Sequence, residues 1–276
     1  MEWSKVKNII LVILAVTNVV LLSFVIHREI RDRSQQQQAR ADAILFLAGN
    51  GVSVDDSVIP QSIDLPMGQA NRDLDEEWRL AAALLGEDVI VQSRGGEVYR
   101  YYSDVGWVQF HSDGAFQGEF AEGSFLLGDK DMAEHAAACL TRLGFTGQVM
   151  DSLSQGNDRG TVTLRQLWGT SPVFNLQATV EYEAGSLVRI AAGRRLFGQP
   201  VELSGSQQIS VATALVRFMT GLDQMGDVCS RIDSIIPGYV SVASLTGTMT
   251  LTPVWYINTD TGGYQLDVTS GVLSRG

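Results

Sequence analysis

The chain has 276 residues, of which 45% are apolar and 18% charged, and its formal net charge is −11 at pH 7. This length is enough for one large domain or for two to three small ones, with a sizeable core. A strongly acidic surface repels the phosphates of nucleic acids and anionic lipid headgroups. We therefore expect no nucleic acid among the partners of this protein.

Residues 8–26 form an uncharged and mostly apolar run. In a helix that rises about 1.5 Å per residue, such a run reaches across the hydrocarbon core of a bilayer. A cleavable signal peptide has a shorter apolar stretch with small residues at its end, whereas this run ends in Phe24, Val25 and Ile26. The sequence thus predicts an uncleaved, single-pass anchor in the cell membrane.

Basic residues flank this anchor on both sides, and counting them alone favours the opposite orientation, with the bulk of the chain inside. However, a short tail before the first apolar run, with a long acidic region behind it, is typical of a signal anchor. We therefore expect a cytoplasmic N terminus and an extracytoplasmic bulk, from residue 34 to residue 276.

Asn18 lies in the middle of the predicted anchor. A polar side chain in hydrocarbon costs free energy unless it is paired, and a facing helix can pair it. The alternative is that Asn18 bonds to carbonyl groups of its own helix. With its neighbours Thr17, Leu21 and Leu22, it is the predicted contact with a transmembrane partner.

Four later segments have the composition or spacing of helices, at residues 27–50, 75–85, 129–143 and 206–220. The first would form a stalk behind the anchor. The other three carry apolar residues at spacings of three and four, as amphipathic helices do. A glycine after each of these three predicts a left-handed C-terminal cap, at Gly86, Gly144 and Gly221.

After each amphipathic helix the apolar period changes to two, which is typical of strands. The predicted strands are residues 89–91, 98–102, 106–110, 161–166, 173–182, 187–191, 253–258 and 264–268. We interpret this order as a repeated unit of one helix followed by antiparallel strands.

The predicted fold class is therefore α+β, with a transmembrane helix and a helical stalk followed by tandem small domains of helix plus antiparallel sheet. The predicted parts are a cytoplasmic tail (1–7), the anchor (8–26), the stalk (27–50) and three α+β units (51–125, 126–200 and 201–276).

The residues that usually carry chemistry form no recognisable motif. The histidines at positions 27, 111 and 135 have neither the HExxH pattern nor helical ligand spacing. The nucleophile elbow GxSxG and the phosphate-binding patterns GxGxxG and GxxxxGKS/T do not occur. The sequence predicts that the protein is not an enzyme and binds no metal or cofactor.

Two cysteines, Cys139 and Cys229, are too few for a disulfide-stabilised scaffold. They are either buried thiols that act as small apolar residues or a single bridge between two units. A structural zinc site is not expected, because no pair of CxxC motifs is present.

Aromatic residues concentrate in two adjacent predicted strands and predict a surface for a protein partner. The candidates are Tyr99, Tyr101 and Trp107. Alternation along a strand would place about half of these aromatics in the core instead.

Several short segments resemble YycI-type regulatory proteins of Gram-positive bacteria. The start MEWSKVKNI (1–9) resembles the start of that family, and PVFN (172–175) and PVWYI (253–257) resemble sheet segments of the YycH/YycI-like group. The segment YQLD (264–267), followed by Ser270 and Gly271, is similar to the closing hairpin of PepSY-like units.

This resemblance implies a non-catalytic regulator that is anchored in the membrane and tunes a sensor histidine kinase. The kinase would belong to a Yyc/Wal-type two-component system of cell-wall homeostasis, and a YycH-like protein would be a second partner. The alternative function is an anchored, PepSY-like binding module or inhibitor that acts on an exported peptidase or on cell-wall peptides.

Overall fold

The computed structural model describes residues 3–62, 65–154, 158–205, 207–244 and 246–276; in its first helix, it describes the side chains of residues 11, 14, 16–23, 27 and 34–49. The predicted tail lies partly outside these ranges, at residues 1–2, and so does the predicted first unit, at residues 63–64. The helices are α1 (Trp3–Gly49), α2 (Leu74–Leu85), α3 (Met132–Arg142) and α4 (Val211–Met225), with a 3₁₀ turn at Asp56–Val58.

Within the described ranges, fifteen strands make up most of the remaining structure. They are β1 (Ser53–Val54), β2 (Met67–Asn71), β3 (Ile90–Gly95), β4 (Val98–Ser103), β5 (Gly106–Phe110), β6 (Ala115–Phe120), β7 (Gly147–Ser154), β8 (Gly160–Trp168), β9 (Ser171–Glu183), β10 (Ser186–Arg194), β11 (Val201–Leu203), β12 (Arg231–Ala243), β13 (Thr248–Thr259), β14 (Gly262–Asp267) and β15 (Leu273–Arg275).

The N termini of the three short helices are capped by side chains. Asp73 accepts hydrogen bonds from the backbone N–H groups of the first turn of α2, and Asp131 and Ser210 do the same for α3 and α4. Each cap pairs a backbone donor that the helix itself leaves unbonded. The helices predicted at 75–85, 129–143 and 206–220 are therefore confirmed, with bounds that shift by up to five residues.

Gly221 does not end α4, contrary to the prediction, because the helix continues to a left-handed cap at Gly226. The reason is packing. A Cβ atom at Gly221 would lie 2.5 Å from the Cβ of Leu273, so glycine is needed there for β15 to approach the helix. Gly86 follows α2 directly with a positive φ of 100°, but its ψ of 165° is outside the predicted left-handed helical region. Gly144 follows the C-terminal cap residue of α3 and has a positive φ of 74°.

The strands form one mixed sheet in two halves. The first half is an antiparallel run of eight strands in the order β3-β4-β5-β6-β10-β9-β8-β7. The second half centres on the long β12–β13 hairpin; β1 pairs with β12, β2 and β14 pair with β13, and β11 and β15 lie outside them. A parallel pairing of β9 with β12, at Val173 and Tyr239, joins the two halves.

Each half has its own apolar core beneath its helices. Helices α2 and α3 cover one face of the eight-stranded half, where Val108, Leu140 and Leu164 are fully buried. Helix α4 and the C-terminal end of α1 cover the second half around Trp255. A third, smaller cluster fills the junction between the halves.

The predicted fold class is wrong in its architecture, although a helix followed by four or five strands does recur three times along the described chain. The strands hydrogen-bond into one large mixed sheet instead of closing tandem small domains. The pairing of β6 with β10 is decisive, because it joins the predicted first and second units edge to edge over a common core.

The predicted membrane anchor at residues 8–26 is likewise not supported. Crossing the hydrocarbon core takes about 20 consecutive, mostly apolar residues in a helix. Across the part of the chain that the structure describes, no helix is both long enough and apolar enough to do so. This finding overturns the predicted single-pass location in the cell membrane, with its cytoplasmic N terminus and extracytoplasmic bulk.

A buried ion cluster lies between the two halves of the sheet. The carboxylate of Glu77, on α2, accepts hydrogen bonds of 2.7 and 3.0 Å from the guanidinium group of Arg72, which follows β2. Arg195, which follows β10, lies 3.9 Å from the same carboxylate and 4.8 Å from the ring centre of Phe110. The three charged side chains are between 1% and 6% exposed.

Replacing Glu77 with Gln should therefore destabilise the fold strongly. The neutral amide removes the carboxylate that two buried guanidinium groups share, and Arg72 then keeps only the exposed carboxylate of Glu97, at 3.9 Å. Breaking a buried ion pair in this way costs about 3–5 kcal/mol. Urea denaturation should show a loss of that size in the free energy of unfolding. The control is Glu183→Gln, because the Arg159–Glu183 pair is exposed on both sides and such a pair contributes about 0–1 kcal/mol. Equal losses in the two variants would contradict this role of Glu77.

Candidate interaction surfaces

The C-terminal end of α1 is fixed to the body of the protein. Leu47 is fully buried and Ala43 nearly so, in the same core as α4. Arg40 forms an ion pair of 3.0 Å with the carboxylate of Asp56 and donates hydrogen bonds to the carbonyl oxygens of Asp56 and Ile59. This end of the helix therefore cannot turn without disrupting apolar and polar contacts together.

The other end of α1 carries the four residues predicted to contact a partner helix. Thr17, Asn18, Leu21 and Leu22 are all exposed, and the two leucines are 57% and 60% exposed. Further apolar side chains of the same region are exposed to a similar degree: Leu11, Leu14, Val16, Val19 and Val20. An apolar surface of this kind is typical of an interaction site.

The aromatic residues of β4 and β5 divide between two faces of the sheet. Tyr101 is 2% exposed and lies in the core, where burial and then the charge of Glu77 raise its pKa to about 12. Tyr99 is half-buried on the same face, with Arg72 above its ring. Of the three predicted surface aromatics, only Trp107 lies on the face that the helices leave uncovered.

The uncovered face has an aromatic row that sequence reasoning only partly found. Tyr102 is directly opposite Trp107 on one side and Ile90 on the other, so the three side chains form a line across β5, β4 and β3. The guanidinium carbon of Arg100 lies 3.8 Å from the ring centre of Trp107. Strict alternation outward from Trp107 would have selected Tyr102 instead of Tyr101.

Arg100 is held in place by polar neighbours on the same face. Its Nε donates a hydrogen bond of 3.1 Å to the side-chain oxygen of Gln109, whose amide nitrogen lies 3.0 Å from Nε2 of His111. Partial burial, and after it the like charge of Arg94, lower the pKa of Arg100. Stacked arginine and aromatic side chains of this kind are enriched where proteins bind proteins.

His135, Cys139 and Tyr182 form a small polar cluster beneath α3. Nδ1 of His135 lies 2.8 Å from the Tyr182 hydroxyl, and the Cys139 sulfur lies 3.8 Å from the same nitrogen. Burial, followed by the charges of Lys130 and Arg142, lowers the pKa of His135, and burial raises the pKa of Cys139. Both shifts favour neutral forms at neutral pH.

This cluster therefore lacks the features of an activated nucleophile. A reactive cysteine is a thiolate beside a cation in a partly open site. Cys139 is 8% exposed, and the apolar gap beside it, lined by Leu84, Phe120 and Val180 among others, has no room for a water-sized molecule. Cys139 and Cys229 are both free thiols, so the possible bridge between them is not formed.

Metal ligands are not grouped in the described ranges of the chain, where no set of three His, Cys, Asp or Glu side chains is placed to hold an ion.

Comparisons with known proteins give no family. No protein-family model matches the chain, and no curated protein matches it. Among solved structures, the chain is similar to the crystal structure of an uncharacterized protein from Eubacterium rectale ATCC 33656, with 12% identity and a TM-score of 0.44. That match covers 82% of this chain and 91% of the other, and it assigns no function.

The environment of His135 predicts a loss of stability in mild acid. Its pKa in the folded state lies below the ordinary 6.5, so below pH 6.5 the unfolded chain binds a proton that the folded chain does not. The stabilisation is complete above pH 6.5 and declines as the pH falls from there towards the folded pKa.

We expect His135→Gln to remove this decline in a series of urea unfolding curves between about pH 7.5 and about pH 5. His27→Gln, at an exposed position of α1, should retain it. An identical pH dependence in the parent and in His135→Gln would show that another group is responsible.

Proposed function

We propose that this protein is a non-catalytic regulator that binds a helix of a partner protein along α1. One observation carries the proposal: α1 leaves Leu14, Val19 and Leu22 between 60% and 66% exposed. Covering such side chains with a partner stabilises the complex by about 25 cal/mol for each Å² of apolar surface that is removed from water. Asn18 is exposed in the midst of them, and one polar residue in an apolar helix interface selects the partner and its register.

The partner that we propose is a sensor histidine kinase of a cell-wall two-component system, acting together with a YycH-like protein. The support for this choice is the resemblance of residues 1–9, 172–175 and 253–257 to segments of the YycH/YycI-like group. A kinase of this class has at least two signalling states, and a regulator without chemistry can bias them only by binding one state more tightly than the other.

Because α1 is attached to the body of the protein, binding at its exposed end is transmitted to the other helices. Leu47 and Arg40 fix the helix against α4 and the 3₁₀ turn at Asp56–Val58. A partner that tilts the exposed end must therefore strain these contacts or move α4 with it. The same connection works in reverse, because coupling between two sites is reciprocal.

Photo-crosslinking in living cells tests the proposal. A photoreactive amino acid replaces Leu22 in the full-length chain, and the crosslinked proteins are identified by mass spectrometry. We expect a sensor histidine kinase among them. The control is the same amino acid at Gln36, which is exposed in the polar part of α1. Adducts with lipid alone at position 22, or the same proteins from both positions, would overturn the proposal.

Replacing Asn18 with Leu should weaken the association with the kinase without unfolding the protein. The leucine side chain cannot form the hydrogen bond to the partner helix that we propose for Asn18. Such a hydrogen bond contributes about 0.5–1.5 kcal/mol net, which corresponds to roughly a two- to tenfold change in the dissociation constant. The association is measured by co-purification at equal protein abundance, together with a reporter of kinase output. Gln36→Leu, the same kind of change elsewhere on α1, should have no effect. Parent-like binding by Asn18→Leu would remove Asn18 from the interface.

A further inference from the structure

Strand β3 is an open edge of the sheet. It pairs with β4 on one side, and all six of its residues are exposed. Two of them are large and aliphatic, Ile90 at 56% and Val91 at 49% exposure. An edge strand presents unpaired backbone N–H and C=O groups, so an open and apolar edge is a template for another strand.

The other edges of the sheet are less suited to pairing. Strands β1, β11 and β15 have only two or three residues. The opposite edge, β7, is longer, but its register shifts between Val149 and Asp151, in the middle of the strand. A bulge and a charge at the centre are common ways of protecting an edge. In β3 the register shifts only after Ser93, so its first four residues pair regularly with β4.

We propose that β3 pairs antiparallel with β3 of a second copy of this chain, about a two-fold axis at Val91. In this register Val91 faces its own copy, and Ile90 faces Gln92 of the second copy. The two eight-stranded halves then become one continuous antiparallel sheet. Because the contact uses the same patch on both copies, it closes on itself and yields a dimer.

Charge complementarity selects a second copy as the occupant and fixes the register. Continued beyond the regular pairs, the same register places Asp88, in the turn just before β3, at the level of Arg94 of the second copy, at the register shift of β3, twice by symmetry. It also places Glu87 at the level of Gly95. Among the described residues, neither Asp88 nor Arg94 has an oppositely charged side chain within 4.0 Å in the single chain. Opposite charges directly across a strand pair stabilise it, and like charges destabilise it.

The same two-fold pairing at the opposite edge of the sheet, β7, would bring like charges together. Centred on β7, between Met150 and Asp151, it would bring the two copies of Asp151 close together. In β3 the acidic and basic residues instead stand at opposite ends of the strand, Asp88 before it and Arg94 near its end. A strand of this pattern is complementary to its own antiparallel copy.

Thiol crosslinking of the full-length chain tests the pairing. Residues directly opposite in antiparallel strands have Cβ atoms about 4.5–5.5 Å apart, so Val91→Cys should form a covalent dimer with a crosslinker of about 5 Å span. The matched control is Val149→Cys on the β7 edge, and the parent reports the background from Cys139 and Cys229. Dimer yields that do not exceed those of Val149→Cys would overturn the proposal.

A charge swap tests the register. Arg94→Glu and Asp88→Arg each place two like-charged pairs across the contact and should raise the dimer dissociation constant about tenfold, as measured by sedimentation equilibrium. The double variant restores opposite charges and should return to within about threefold of the parent. Single variants that dimerise like the parent, or a double variant weaker than both, would rule out this arrangement.

Discussion

The carboxylate of Glu77 is held between two guanidinium groups that come from opposite halves of the sheet. Arg72 follows a strand that pairs with β13, and Arg195 follows a strand of the eight-stranded half. A buried carboxylate is tolerated only when it is paired, and each ion pair requires its two side chains in a defined relative position. Apolar contacts at the junction, by contrast, would accept several relative positions of the two halves. The ion cluster therefore specifies one of them.

This constraint makes the two exposed surfaces parts of one body. The end of α1 rests on the core of the second half, whereas the aromatic row and the β3 edge belong to the first half. Between the halves, the strand pairing of β9 with β12 is short, so the side chains at the junction carry much of the connection. Arg195 also donates a hydrogen bond to the carbonyl oxygen of Leu196, whose own N–H bonds to Gln166, on β8.

Local patterns predicted the short helices and about half of the strands, because helices and strands are encoded by spacing, but they missed β2, β6, β7 and the long β12. The three amphipathic helices and the strands from Val98 to Phe110 follow directly from periods of 3.6 and 2. The arrangement of the strands could not be predicted in the same way, since the pairing of β6 with β10 joins residues 70 to 79 positions apart and leaves no local signal. The buried position of Glu77 could not be predicted either, because Glu77 follows Glu76 at a helix start and has the sequence environment of a solvated residue. Only the fold brings Arg72 and Arg195 to it, and only strand register separates Tyr101 from Tyr102.

Helix α1 determines whether a contact far from the sheet can matter to it. The helix has 47 residues, contains no proline, and has its first glycine at its last position. At about 1.5 Å per residue it extends for roughly 70 Å, with no breaker at which it would bend. A small tilt at the docked end is thus a large displacement at the exposed end.

Length alone does not create coupling, however. The contact that Arg40 and Leu47 make at the docked end must also have two arrangements of similar free energy. The polar part of that contact, in which Arg40 bonds to backbone carbonyl groups of a short 3₁₀ turn and its neighbour, can be remade with different partners. The apolar part around Leu47 cannot, which makes Leu47 the pivot of any such movement.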